Sequence, residues 1–302
     1  MKGNVKAGFL VSYDWDLLRY SLPAVYLDVD RIFVSFDSKG CTWSGNRFFF
    51  DRVEFSKFIN RLDHQNKIVF HQGDFFDPLK SPMENETWQR NQLASFMGPV
   101  GWHLQLDADE YILNCKDFIA YLSRIPVIKD TPFTVFASWI PIIKQAPEGF
   151  YLVRFPKGRY ESFPLAFQNP RFSVARRTGF QNRLSGCLVF HQTLARSPEE
   201  VKRKLMNWGH AADFDGEALY RTWQSITHKN YREFKNFHPV VPRLWPELEL
   251  VPVATIPELM ATYRPPPVSA FRRFKVRLLS ILLQGRDGFI PSSRWISRYF
   301  RN

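Results

Sequence analysis

The chain has 302 residues, room for one large domain or a large domain with a small appendage. A hydrophobic share of 45%, with 29 Phe, 11 Tyr and 9 Trp, supplies a packed core and excludes a disordered chain. The net charge of +12 calls for a polyanionic partner: nucleic acid, a phosphate-bearing substrate or an anionic membrane surface.

The opening MKGNVKAGFLVSYDWD has only a short apolar run before charges intervene, so neither a secretory signal nor a membrane anchor is expected there. AGFLVSY within it reads as a first strand and RIFVSFD as a second. A helix then carries Phe55, Phe58, Ile59 and Leu62, KIVFHQ forms a third strand, ETWQRNQLASFM a helix, and WHLQLDAD a fourth strand. Strands alternating with helices imply an α/β fold with a mostly parallel sheet flanked by helices. Between about 130 and 190, TPFTVFASWIPI, YLVRF and GCLVFHQTL read as further strands. In SPEEVKRKLMNWGHAADF, Ser197 as N-cap and Glu200 three positions later form a capping box before a helix with Val201, Leu205 and Trp208 on one face. Pro265, Pro266 and Pro267 interrupt regular structure, dividing the chain into a main domain over 1–262 and a basic amphipathic tail over 263–302.

Sheets of this kind bind ligands outside the carboxyl ends of their strands, where the strand order reverses. The polar residues that end each strand are therefore expected to converge: Ser12, Tyr13 and Asp14 after the first, Asp37 and Ser38 after the second, and Asp107, Ala108, Asp109 and Glu110 after the fourth. For any single strand the plainer alternative is that polarity merely marks its end. LDADE sets two acids at i and i+2, and an extended backbone would send both carboxylates to one side. Such a pair suits Mg²⁺ or Mn²⁺, which accepts one or two protein carboxylates and keeps positions for phosphate oxygens. An ion of this kind neutralises a leaving diphosphate. A pair of exposed turn acids is the competing origin.

Taken together, SYDWD, FDSKGCTWSGN, ETWQRNQL, LQLDADEYI and VFHQTLARSPEEVKRKLMNWGH resemble the spaced motifs of GT-A glycosyltransferases, in particular bacterial proteins similar to glycosyltransferase family 2, over about residues 5 to 245. The resemblance implies a GT-A (Rossmann-like) fold and transfer of a sugar from a nucleoside diphosphate, UDP-linked, to a glycan or glycolipid, assisted by Mn²⁺ or Mg²⁺. Under it, Ser12, Tyr13 and Asp14 meet the nucleotide base, with Tyr13 available for stacking. Asp37 meets base or ribose, and Arg90 faces the diphosphate, for which its fork of donors is suited. Asp107 touches the ribose and Asp109 the metal. His191, between a strand and the capped helix, is similar to a histidine that completes the metal shell or contacts the diphosphate; a structural histidine is the alternative. Trp208 and His210 are read as core or supporting residues. The family's acidic pair has no unambiguous counterpart for the base that an inverting transferase requires. Glu161 is the first choice, ahead of Glu148, Asp213 and Asp215, and a retaining mechanism is open if none serves.

From Arg264 onward nine Lys or Arg face one acid, Asp287, so most of the positive excess lies in the tail. Phe271, Phe274, Leu278, Ile281 and Leu282 fall on one helical face with Arg272, Arg273, Lys275 and Arg277 at its margins, the pattern of an interfacial helix. A helix packed back on the main domain is the alternative, and nucleic acid ranks below an anionic membrane because the apolar face is continuous. No stretch of roughly 20 apolar residues is present, and Cys41, Cys115 and Cys187 show no paired spacing. The expected setting is cytoplasmic, peripheral at the inner membrane face. Two further readings stay open: a metal-dependent nucleotidyltransferase, and a non-catalytic basic adaptor for membrane or nucleic acid.

Overall fold

The computed structural model describes residues 4–126, 132–179, 181–207 and 213–284. In chain order its elements are β1 (Val5–Val11), the short helices α1 (Leu18–Ser21) and α2 (Pro23–Tyr26), β2 (Arg31–Asp37), α3 (Arg52–Leu62), β3 (Ile68–Gly73), α4 (Pro82–Met97), β4 (Trp102–Asp107), β5 (Glu110–Ile112), α5 (Cys115–Leu122), β6 (Phe133–Ala146), β7 (Gly149–Arg154), β8 (Glu161–Gln168), β9 (Gln181–His191), α6 (Pro198–Asn207), α7 (Gly216–Ser225), β10 (Glu247–Val251), α8 (Ile256–Thr262) and α9 (Ala270–Gln284). The α/β architecture read from the sequence is the one observed. A ten-stranded sheet runs in the order β10-β7-β6-β8-β4-β1-β2-β3, with β9 beside β6 and β5 beside β9.

The four N-terminal strands are parallel and are connected through helices. All seven residues of β1 are buried, as a strand covered on both faces requires. Beyond β4 the pairing becomes antiparallel, apart from β6 with β9. Gly8 allows α4 to close on β1: a Cβ there would lie 2.9 Å from both Leu93 and Met97. α4 begins in a full capping box from Ser81 to Glu84, with Pro82 at its first position. The predicted box of α6 is also formed, Ser197 and Glu200 exchanging both bonds, and Val201 and Leu205 are buried. Trp208 and His210 lie outside the described residues.

From β1 the chain lays β2 and then β3 on one side and returns to lay β4 on the other. The carboxyl ends of β1 and β4 thus flank a topological switch point, where an open α/β sheet leaves a crevice. After the prolines, the chain returns to the main body. Val268 is buried, the Tyr160 hydroxyl donates to the Pro266 carbonyl, and α9 runs along β9, with the Asn182 N–H donating to Ser280 Oγ.

Candidate active site

The chain turns at Ala108 and Asp109 between the end of β4 and the start of β5. Asp107 N–H donates to its own neighbour Glu110 at 2.9 Å, and the Asp109 carbonyl accepts from Gln192 N–H at 2.9 Å. These local bonds replace the extended backbone that would send both acids the same way. As a result, Asp107 and Asp109 enter two separate ion-pair clusters.

The inner cluster is built on Asp107. Arg90 donates to one of its oxygens at 2.8 Å and Arg176 to the other at 2.6 Å. Arg90, 1% exposed, also holds Glu86 at 2.9 Å. Arg176 reaches Glu110 at 3.0 Å, and the Trp139 indole N–H donates to Glu110 at the same distance. Burial alone would raise the Asp107 carboxyl, but Arg176 and Arg90 outweigh it and hold it below the usual carboxylate range. Glu110 is pushed up to about 7 by its burial, against the pull of Arg176.

The outer cluster is built on Asp109. One carboxylate oxygen accepts from Arg196 at 2.6 Å and from the Lys204 ammonium at 2.5 Å. Arg196 also holds Asp14 at 3.2 Å, tying the loop after β1 to the turn after β4. Despite burial, Lys204 and Arg196 keep the Asp109 carboxyl well below its ordinary value. His191, the last residue of β9, brings Nε2 to 3.6 Å from the same oxygen. Burial pushes its imidazole down to about 4, so it is neutral at neutral pH. A cleft of about 580 Å³ opens on the Arg196 side, lined also by Asp16, Tyr20 and Trp223; Asp107 and Asp109 are not among its lining residues.

Asp14, Arg90, Asp107, Asp109 and His191 therefore meet at the ends of β1, β4 and β9. Ser12 donates to Asp14 at 3.2 Å, and the half-buried Tyr13 ring lies under the guanidinium of Arg203, 5.7 Å away. Asp37 is drawn elsewhere. Its carboxylate accepts from the N–H groups of Lys39, Cys41 and Phe75, which organises the loops after β2 and β3. Glu161 pairs directly with Trp139 across β8 and β6, so the two side chains leave the sheet on the same face. Trp139 stacks on Phe163 at 4.2 Å and lies 4.9 Å from the His191 ring, so Glu161 is the cross-strand neighbour of a residue that touches the cluster. Burial pushes the Glu161 carboxyl up to about 8. Glu148 is engaged by the Tyr151 hydroxyl within the β6–β7 hairpin, and Asp215 caps α7. Asp213 is exposed just before that cap.

Sequence reasoning missed Arg176, Arg196 and Lys204. Lys204 had a signal, because it follows Val201 by three positions and so borders the buried face of α6. Arg176 had none: it sits in an irregular turn, beside an Ala175 of φ 48°, and is carried into the cluster by tertiary packing.

The donor set does not match a resident divalent cation. Both Asp107 oxygens are taken by arginines, one Asp109 oxygen by Arg196 and Lys204, and Asp14 by Arg196. Among the described residues, no group of three or more His, Cys, Asp or Glu is arranged to hold a metal ion. A hard dication needs oxygen donors facing it, and here those donors face fixed positive charges.

No family model matches the chain, and no curated protein matches it. Among solved structures, S. aureus TarS 1–349 is 12% identical with a TM-score of 0.30; the match covers 45% of this chain and 36% of that one. The mannose-1-phosphate geranyltransferase of Thermus thermophilus is 10% identical with a TM-score of 0.26; the match covers 74% of this chain and 65% of that one. The chain thus spans less than two thirds of the length of either structure.

Proposed function

We propose that this chain transfers a sugar from a nucleoside diphosphate, UDP-linked, to a hydroxyl group of a glycan or glycolipid acceptor. The observation that carries the reading is the gathering of Asp14 and Asp109 on Arg196 and Lys204, with Asp107 held by Arg90 and Arg176 two residues away, at the switch point between β1 and β4. A switch point with acids for hydroxyl groups and cations for phosphates beside it, of which Arg196 lines the cleft, suits a nucleotide sugar better than it suits a neutral ligand.

In this reading Tyr13 stacks on the base, and Asp14 and Asp107 accept from ribose hydroxyls. The fully buried Arg90 acts through Asp107, whose carboxylate it orients. Glu161 takes the proton of the acceptor hydroxyl. The acceptor oxygen then bonds to the anomeric carbon, and the bond from that carbon to the diphosphate breaks with its electron pair remaining on the nucleoside diphosphate. Because the Glu161 carboxyl stands at about 8, the ionised base grows in population from neutral pH upward.

The site of action we propose is an anionic membrane surface, reached through α9. Among the described residues no helix is long and apolar enough to cross a membrane. On α9, Phe271, Phe274 and Leu278 are exposed beside Arg273, Lys275 and Arg277.

A panel of nucleotide sugars, scored for thermal stabilisation and for the product released, tests the reading. Release of nucleoside diphosphate from one donor is expected, with Asp109→Ala abolishing it. Pyrophosphate as product would move the chain to nucleotidyl transfer, and an unaltered function in Asp109→Ala would make it an adaptor.

A further inference from the structure

The D-x-D pattern leads one to expect a metal at Asp109, yet the oxygen a metal would take already holds two fixed cations, Arg196 at 2.6 Å and Lys204 at 2.5 Å. The arrangement is built from two independent directions. Arg196 arrives from the loop after β9, anchored by Asp14 as well, and Lys204 arrives from α6, whose position is set by burial of Val201 and Leu205. The neighbouring Arg203 of α6 reaches the Tyr13 ring, so one helix serves both Tyr13 and Asp109.

Resting on the glycosyltransferase reading, we propose that this site works without a divalent cation: Lys204, held by Asp109 and flanked by Arg196, receives the departing diphosphate. Asp109 is then a positioning residue for Lys204 and not a metal ligand. An ammonium carries three protons, so a lysine anchored through one retains donors for phosphate oxygens. As the bond between the anomeric carbon and the β-phosphate oxygen breaks, its electron pair goes to that oxygen, and the ammonium stands where the negative charge grows. A preorganised charge of this kind serves the electrostatic role of a metal without an ion having to bind first.

The test uses the full chain stripped with EDTA, the donor that the panel identifies, and release of nucleoside diphosphate as readout, with and without added Mn²⁺ or Mg²⁺. Turnover in EDTA is expected to equal turnover with either metal. Lys204→Met is expected to lower kcat by roughly 10²- to 10³-fold, the size of removing one preorganised donor to a developing charge, with no rescue by Mn²⁺, and Lys204→Arg to recover part of the loss. Calorimetric binding of the nucleoside diphosphate in EDTA should weaken in Lys204→Met while its thermal melt stays cooperative. Turnover that vanishes in EDTA and returns with Mn²⁺, or a Lys204→Met protein with the wild-type rate, overturns the proposal and leaves the glycosyltransferase reading standing. A chain that turns over no donor in either condition defeats both.

Discussion

Asp107 and Asp109 are two residues apart and have different partners: the Asp107 side chain, 33% exposed, sits between two arginines, and the Asp109 side chain, 4% exposed, between an arginine and a lysine. Around Asp107, the two arginines are almost wholly buried, are shared with Glu86 and Glu110, and are fixed by α4 and a long loop. Around Asp109, one cation comes from the margin of α6 and the other from a loop that lines a cleft. In the inner cluster each arginine bridges two acids, Arg90 holding Glu86 and Asp107 and Arg176 holding Asp107 and Glu110, which ties α4 and the loop of Arg176 to the turn after β4. In the outer cluster Arg196 lines the cleft, and Lys204, held by Asp109, keeps ammonium protons that Asp109 does not take. One D-x-D segment thus joins two ion-pair networks, and the turn at Ala108 separates them.

Breaking the inner cluster should give the largest effect. Arg176→Met leaves Asp107 with Arg90, and leaves the fully buried Glu110 with the Trp139 indole and the Asp107 N–H but no cation. Removing one member of a buried ion pair costs about 3 to 5 kcal/mol. Denaturant unfolding should show a loss of that size, and the double variant Asp107→Asn with Arg176→Met should recover part of it, the mark of a direct coupling. Lys204→Met offers the contrast, because Asp109 keeps Arg196. Because Arg196 still neutralises the buried Asp109, its stability loss should be smaller than that of Arg176→Met, which leaves the buried Glu110 without a cation, while its turnover collapses. Equal stability losses in Arg176→Met and Lys204→Met would erase the distinction between the clusters.

The same contrast explains what was legible in the sequence. The parallel half was readable because its strands are short buried apolar runs and its helices carry caps, as RIFVSFD matches β2 and the Ser197–Glu200 box opens α6. Asp14, Asp107 and Asp109 were readable because each stands where an apolar run stops. Their partners were not, because Arg176 and Arg196 lie 69 and 182 residues from the acids they hold and no local pattern carries that distance. Asp37 looked like its neighbours in sequence, yet its carboxylate is consumed by three backbone N–H groups, a choice made by the loops that wrap it. The same-side placement of the D-x-D acids was expected for an extended backbone, and that condition lapses because the strand ends at the first acid.

Glu161 sharpens the comparison through pH. Its ordinary value is 4.5 and burial lifts it to about 8 in the folded chain. Between these values the folded state holds a proton that the unfolded state has released, so stability falls as pH rises from about 4.5 to about 8 and is level above. Glu161→Gln removes that slope. The variant should match the parent near pH 4.5, exceed it in melting temperature at pH 8, and lose the rise in turnover that the parent shows toward pH 8. A parent whose turnover is flat from pH 6 to pH 9 would remove Glu161 as the base.

The smallest effect belongs to α9, which lies along β9, away from the crevice. Val276 packs against the buried apolar cluster that includes Leu184 and Val268, Ser280 accepts from the β9 backbone, and Arg272 donates to the Tyr160 carbonyl, and these contacts set the helix's orientation. That fixation determines which residues point outward: Phe271, Phe274 and Leu278, at spacings of three and four, with Arg273, Lys275 and Arg277 exposed around them. Packing on the main body and presentation of an apolar stripe, which looked like alternatives in the sequence, are therefore two sides of one helix. A large apolar side chain contributes up to roughly 1.5 to 3 kcal/mol when fully buried, and partial insertion gives less, so Phe271→Asp should weaken partition into anionic vesicles by roughly tenfold, about 1.4 kcal/mol. High salt should weaken the parent's binding as the basic margin is screened. Turnover on a soluble acceptor should be unchanged, since the substitution touches neither ion-pair cluster. Vesicle binding that is equal in the parent and in Phe271→Asp would assign the attachment to charge alone and leave the apolar stripe without that role.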